Sequence, residues 1–192
     1  MNAITSLLSA FGLSTAAGLN AYLPLLTVGL LARYTNLIQL GEPYKLLTNP
    51  LVLLVIAVLA LLDFIGDKIP AVDHVLHTAG LIIAPVAGAI LFLSANSAAG
   101  SVSPLLAAIC GIAVAGATHS ARATARPLAT FATAGVANPV ISFMEDASAL
   151  VLSVLAIILP VLAFLLVLLF AGLMFWLYRR LAARRAARRR SA

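Results

Sequence analysis

From Ala149 to Leu177 the chain runs for 29 residues without a charged side chain. As a helix rising 1.5 Å per residue, such a run is about 43 Å long. A hydrocarbon core of ~30 Å takes about 20 apolar residues to cross. A run this long and apolar is built for lipid, where a spanning segment must satisfy its own backbone hydrogen bonds. It is too long for an upright span and too short for two spans with a turn, so it reads as one tilted helix bent at Pro160. Trp176 and Tyr178 stand at its end as interfacial anchors. Composition agrees: 63% of the 192 residues are hydrophobic and 9% charged, against about 25% charged in a soluble domain. The expected fold is an all-α integral membrane protein, a single polytopic domain over residues 1–178.

Four further segments precede this one. The first, Ile4 to Tyr34, is interrupted by Gly18-Leu-Asn-Ala-Tyr-Leu-Pro24, so a broken or kinked helix is expected. The second is Pro50 to Gly66 and the third Val75 to Ala95. The fourth starts at Pro104, stays apolar to Gly116, and is expected to break before Asn138-Pro139. Five or six spans result. Five places Arg33 and Lys45 on the same side as the C-terminal tail, as the positive-inside rule prefers. Gly12-Leu13 with Asn20 and Gly111-Ile112 with His119 recur at an offset of 99, which raises the possibility of repeated halves.

The net charge of +6 is unevenly placed. Arg179, Arg180, Arg184, Arg185, Arg188, Arg189 and Arg190 lie in the tail, residues 179–192, leaving five basic against six acidic residues in the body. The run abuts an apolar segment, and no aromatic follows Tyr178 to stack on bases. Anionic lipid headgroups and a cytoplasmic location therefore explain the tail, and a nucleic acid does not. The tail is expected to be flexible, and the protein to lie in the cell's inner (plasma) membrane. The first ten residues lack a basic stretch, so the opening segment is expected to stay in the protein. A lone Cys110 excludes an internal disulfide framework.

Against this background, charge inside the body is costly, roughly 2.5–3.5 kcal/mol for each Asp, Lys or Arg at the centre of a span. Asp63, Asp67, Lys68 and Asp73 cluster where the second segment ends. Asp63 and Asp67, four apart, share a helical face, and two nearby carboxylates in low dielectric resist ionising together, the physics of a proton or cation site. His119, Arg122 and Arg126 form one stripe at spacings of three and four. Their planar donors suit a phosphate or carboxylate, or pair with Glu145 and Asp146. Asn138, Ser142, Glu145 and Asp146 surround the start of the last helix, where Ser142-Phe-Met-Glu145 also fits a capping box. Gly80, Ala84 and Gly88 recur every four residues, a close-packing face that could join two segments or two protomers.

Other chemistries lack their motifs. His74 and His77 beside Asp73 and Asp67 have no HExxH or paired-cysteine companion, so neither a metal nor another cofactor is expected. No Gly-x-Ser-x-Gly is present, and the elements around Gly66-Asp67 and Arg126-Pro127 lack the partners that intramembrane proteases and lipid phosphatases use. An enzyme is not expected.

Taken in order, Gly18-Leu-Asn-Ala-Tyr-Leu-Pro-Leu-Leu26, Asp67-Lys-Ile-Pro-Ala-Val-Asp73, Pro85-Val-Ala-Gly88, His119-Ser-Ala-Arg122-Ala-Thr-Ala-Arg126, and Asn138-Pro139 with Ser142 and Glu145-Asp146 form a pattern. It resembles the family known as domain of unknown function 4126, small bacterial membrane proteins with plant relatives. The likeness reaches to about Ala149. Relative to that pattern Asp63 stands for Glu and Arg122 for Lys, both keeping the charge. The resemblance implies no activity but implies that the internal charges form one site.

The function expected is a small transporter or permease. Asn20, Tyr22, His119, Arg122, Arg126, Asn138 and Ser142 would bind an anionic substrate, phosphate-bearing or a lipid headgroup. Asp63, Asp67, Lys68, Asp73, Glu145 and Asp146 would provide proton or cation coupling or ion pairs. The alternative is a scaffold whose charges only pair internally.

Overall fold

The computed structural model describes residues 2–67, 70–97, 100, 102–133 and 136–190, and among these every regular element is a helix. Seven α-helices follow in order: α1 (Ala3–Leu19), α2 (Tyr22–Tyr34), α3 (Pro50–Gly66), α4 (Pro70–Ser97), α5 (Pro104–Thr133), α6 (Asn138–Ile158) and α7 (Pro160–Arg190), with a 3-10 turn at Tyr44–Thr48. Three stretches are long and apolar enough to cross a membrane: Thr78–Ser97, Pro104–Pro127 and Asn138–Ile158. Ala3–Leu19, Pro50–Gly66 and Pro160–Leu173 are apolar but shorter.

Proline and asparagine set the boundaries. Pro50, Pro70, Pro104 and Pro160 each open a helix, and Pro139 is the second residue of α6. At the start of a helix the missing N–H costs nothing and the fixed φ already suits the first turn. Asn49 completes the start of α3 by accepting from Leu51 N at 2.9 Å. Pro85 and Pro127 lie inside helices, and α5 continues past Pro127 to Thr133. The fourth segment breaks where expected, before Asn138-Pro139, since α5 ends at Thr133 and α6 opens at Asn138.

The chain goes back and forth between two ends of the bundle. Leu19, Asn20, Asp63, Asp67, Gly80, His119 and Arg122 gather at one end. Ser6, Val28, residues 36–40, Ser94 and Ile157 gather at the other. The first segment is thus a helical pair, α2 doubling back along α1, rather than one interrupted span. It has no counterpart in the unbroken α5, so the sequence echo does not extend to a repeated fold there. The charge-free run also divides. α6 begins eleven residues before it, α7 extends beyond it, and the two form a hairpin about Leu159, with Leu166–Leu173 facing the same groove as Val140 and Met144. The single bent helix expected from the run's length alone is replaced by two helices that recruit flanking residues. Arg33 and Lys45 consequently lie at the end opposite the Arg-rich end of α7.

Small residues permit the central packing. A Cβ on Gly111 would lie 2.4 Å from the Gly88 carbonyl oxygen, and one on Gly88 would lie 2.4 Å from Ala115 Cβ. Ser14 Oγ donates to that same Gly88 carbonyl at 3.0 Å, tying α1 to the α4–α5 seam. The Gly80, Ala84 and Gly88 stripe is thus taken up within one chain. Leu13, Val28 and Leu91 fill the middle of the bundle. Large apolar side chains also face outward: Leu51 is 72% exposed and Ile82 71%. This apolar exterior around a charged interior is the arrangement lipid favours.

Candidate functional site

The site begins with the break between α1 and α2. Asn20 leaves α1 in an extended conformation (φ −146°, ψ 122°), and its Oδ1 accepts from Tyr22 N at 2.9 Å and Leu23 N at 3.1 Å. The side chain thereby caps α2 and satisfies two N–H groups the helix leaves open. Its other end faces the bundle. Asn20 Nδ2 donates to Asp63 Oδ2 of α3 at 3.0 Å and to Asp146 Oδ1 of α6 at 2.9 Å. One buried amide therefore holds two carboxylates from different helices beside each other.

A second layer is built on Asp67, which closes α3. Its Oδ2 accepts from Arg122 Nη2 at 2.9 Å, Arg126 Nη2 at 3.0 Å and Ser142 Oγ at 2.9 Å. Glu145 Oε2 accepts from Arg122 Nε at 2.7 Å and from Arg126 Nη2 at 2.7 Å. Arg122 Nη1 reaches the Leu19 carbonyl, one of those a helix C-terminus leaves without an intrahelical partner. Arg122 thus ties α5 to α1, α3 and α6 at once. The planar guanidinium serves these three acceptors through three different nitrogens held in one fixed fork.

His119 is 3% exposed and seats over Gly80, where an added Cβ would come within 2.5 Å of its Cε1. It lines, with Asn20, Tyr22, Asp63, Asp67 and Arg122, a cavity of about 30 Å³. A water needs roughly 10–15 Å³ of such space, so the cavity takes about two. That is room for water and too little for a phosphate ester.

Of the residues singled out in the sequence, Asn20, Tyr22, Asp63, Asp67, His119, Arg122, Arg126, Ser142, Glu145 and Asp146 lie in this region. Asn138 does not join them: its Oδ1 accepts from Thr130 Oγ1 at 3.0 Å, joining α5 to α6. Lys68 and the Asp73 side chain lie outside the described residues. The capping box does not form, because α6 starts at Asn138 and places Ser142 and Glu145 within the helix. Two participants carry no sequence signal of their own, the Leu19 carbonyl and Gly80 as the seat of the imidazole. Gly80 belongs to the small-residue stripe, but only the packing reveals what it accommodates.

The sequence profile described as domain of unknown function (DUF4126) matches residues 7–180. The chain belongs to the DUF4126 family. The match runs through α7 to Arg180, beyond the Ala149 limit that the motifs alone suggested. No curated protein and no solved structure matches the chain.

Proposed function

We propose that this DUF4126 protein is a small polytopic permease of the inner membrane, its Arg-rich end cytoplasmic, coupling substrate movement to protons taken up at the Asp63–Asp146 pair. The observation that carries this reading is the Asn20 amide nitrogen placed between those two carboxylates at a helix break. Broken helices are where many transporters build their coupling sites, and intramembrane carboxylates mark proton relays. Charge proximity supports it. Among the described residues, Asp63, Asp67, Glu145 and Asp146 gather with Arg122, Arg126 and His119, and carboxylates held this close in low dielectric resist ionising together.

The arginines favour an anionic substrate, but here their donors are turned to Asp67 and Glu145. A phosphate-bearing molecule or lipid headgroup must displace a carboxylate to bind. A proton passed from the Asp63–Asp146 pair to that carboxylate releases its guanidinium, which couples proton uptake to anion binding.

The test uses purified protein in liposomes enclosing a pH-sensitive dye, with inorganic phosphate and phosphate esters offered outside. Substrate-driven acidification by the wild type, lost in Asp63→Asn protein that still inserts and folds, is the expected result. The second reading, a scaffold, is favoured by the mutual pairing of Arg122 and Arg126 with Asp67 and Glu145. It expects no flux from any phosphate compound and no ligand-induced change in melting temperature.

A further inference from the structure

A second cavity, of about 300 Å³, occupies the other end of the bundle. Its walls carry Ser6 and Ser9 of α1, Ser94 of α4, and Asn36 and Gln39 of the connection after α2. The three serines are no more than 2% exposed, so this polar surface is built into the bundle, while Leu37 at the rim is 51% exposed. Ser9 and Ser94 donate to the Ala156 and Leu91 carbonyls, but Asn36 and Gln39 add side-chain amides to the walls, and a cavity this size has room for several waters.

The two cavities lie on one face of one helix. Ser6, Ser9, Leu13, Ala17 and Asn20 follow at spacings of three and four along α1, so they stack on one side. Ser6, Ser9 and Leu13 line the large cavity, and Ala17 and Asn20 the small charged one. From Leu13 to Ala17 is one turn, about 6 Å of rise. Leu13 is the one large apolar side chain on that face. It is 3% exposed and belongs, with Val28 of α2 and Leu91 of α4, both 0% exposed, to a single apolar cluster.

We propose that the two cavities are the halves of one path for protons and water through the bundle, closed in this conformation by a plug of Leu13, Val28 and Leu91. The path rests on the permease reading and adds its route. The serine-lined chamber is the entrance on the side away from the Arg-rich tail, Asn20 with Asp63 and Asp146 the proton station, and the plug the barrier between them.

The experiment combines accessibility and leak. With Cys110→Ser as background, Ser94→Cys in intact cells is expected to react with a membrane-impermeant thiol reagent added outside, and Ala17→Cys to be protected. In liposomes enclosing a pH-sensitive dye, Val28→Thr, which keeps the shape of the side chain, and Leu13→Ala are each expected to raise passive proton leak several-fold. Adding Asp63→Asn should return the leak to the wild-type level. Variants that elute and melt as folded protein yet leak no faster than wild type would overturn the path, as would protection of Ser94→Cys from outside. Substrate-driven flux measured alongside separates the two claims. Flux without plug-dependent leak removes the path and leaves the permease, whereas leak without flux leaves the path and removes the coupled permease.

Discussion

Asn20 carries two structural tasks on one amide, and substitutions can separate them. Asn20→Ala loses both the cap on α2 and the donor shared by Asp63 and Asp146. A lost cap costs about 1 kcal/mol and each hydrogen bond to a charged group roughly 1.5–3 kcal/mol. Asn20→Ser keeps a capping oxygen, so a melt in detergent should place it between wild type and Asn20→Ala. Equal melting of the two variants would mean the cap contributes nothing. Arg122 is a comparable case. Truncating one member of a buried ion pair costs about 3–5 kcal/mol, so Arg122→Ala should melt well below wild type. Arg122→Lys keeps the charge but cannot reach Asp67, Glu145 and the Leu19 carbonyl together, and its melting point should fall between the two. The residue types of this network were legible in the sequence, since charge among apolar runs has to be explained. Its pairing was not, because Asp67 meets Ser142 and Arg126 across 75 and 59 residues of chain, and no local spacing encodes that.

At the scale of the helices, local backbone punctuation decides some boundaries and the flanking context decides others. Asn49-Pro50 and Asn138-Pro139 start helices as their chemistry dictates. Pro127, preceded by Arg126 rather than Asn, lies inside α5, and Leu159-Pro160 makes a hairpin turn rather than a bend. The difference lies in the flanks, since each arm of the α6–α7 pair borrows residues from outside the apolar run. The α4–α5 seam gives a direct test of packing. Gly111→Ala must push the Gly88 backbone away, and overpacking of this kind costs typically 1–3 kcal/mol. Gly172 of α7 has no atom within 4 Å of an added Cβ, so Gly172→Ala should be neutral or should stabilise by up to about 1 kcal/mol through helix propensity. Detergent melts that show the two alanines behaving alike would contradict the described seam.

For the molecule as a whole, the alternation of the helices α1 to α7 puts Arg33 and Lys45 opposite the Arg-rich end of α7. Under the proposed orientation, with the tail cytoplasmic, an impermeant thiol reagent outside intact cells should label Lys45→Cys in the Cys110→Ser background and leave a cysteine appended after Ala192 untouched. Labelling of the appended residue, or protection of Lys45→Cys, would reverse or refute this orientation. The apolar exterior was plain from composition. The direction of α2 and α7 was not, because hydropathy marks a segment and is blind to where it turns. The proposed coupling depends most on a proton shared by Asp63 and Asp146, and infrared difference spectroscopy of the reconstituted protein tests this directly. Raising the pH should remove a carboxylic-acid carbonyl absorption in the wild type, and that change should be missing from both Asp63→Asn and Asp146→Asn. A carboxylic-acid signal that responds to pH identically in all three proteins would show that neither aspartate holds the exchangeable proton, contradicting the coupling mechanism.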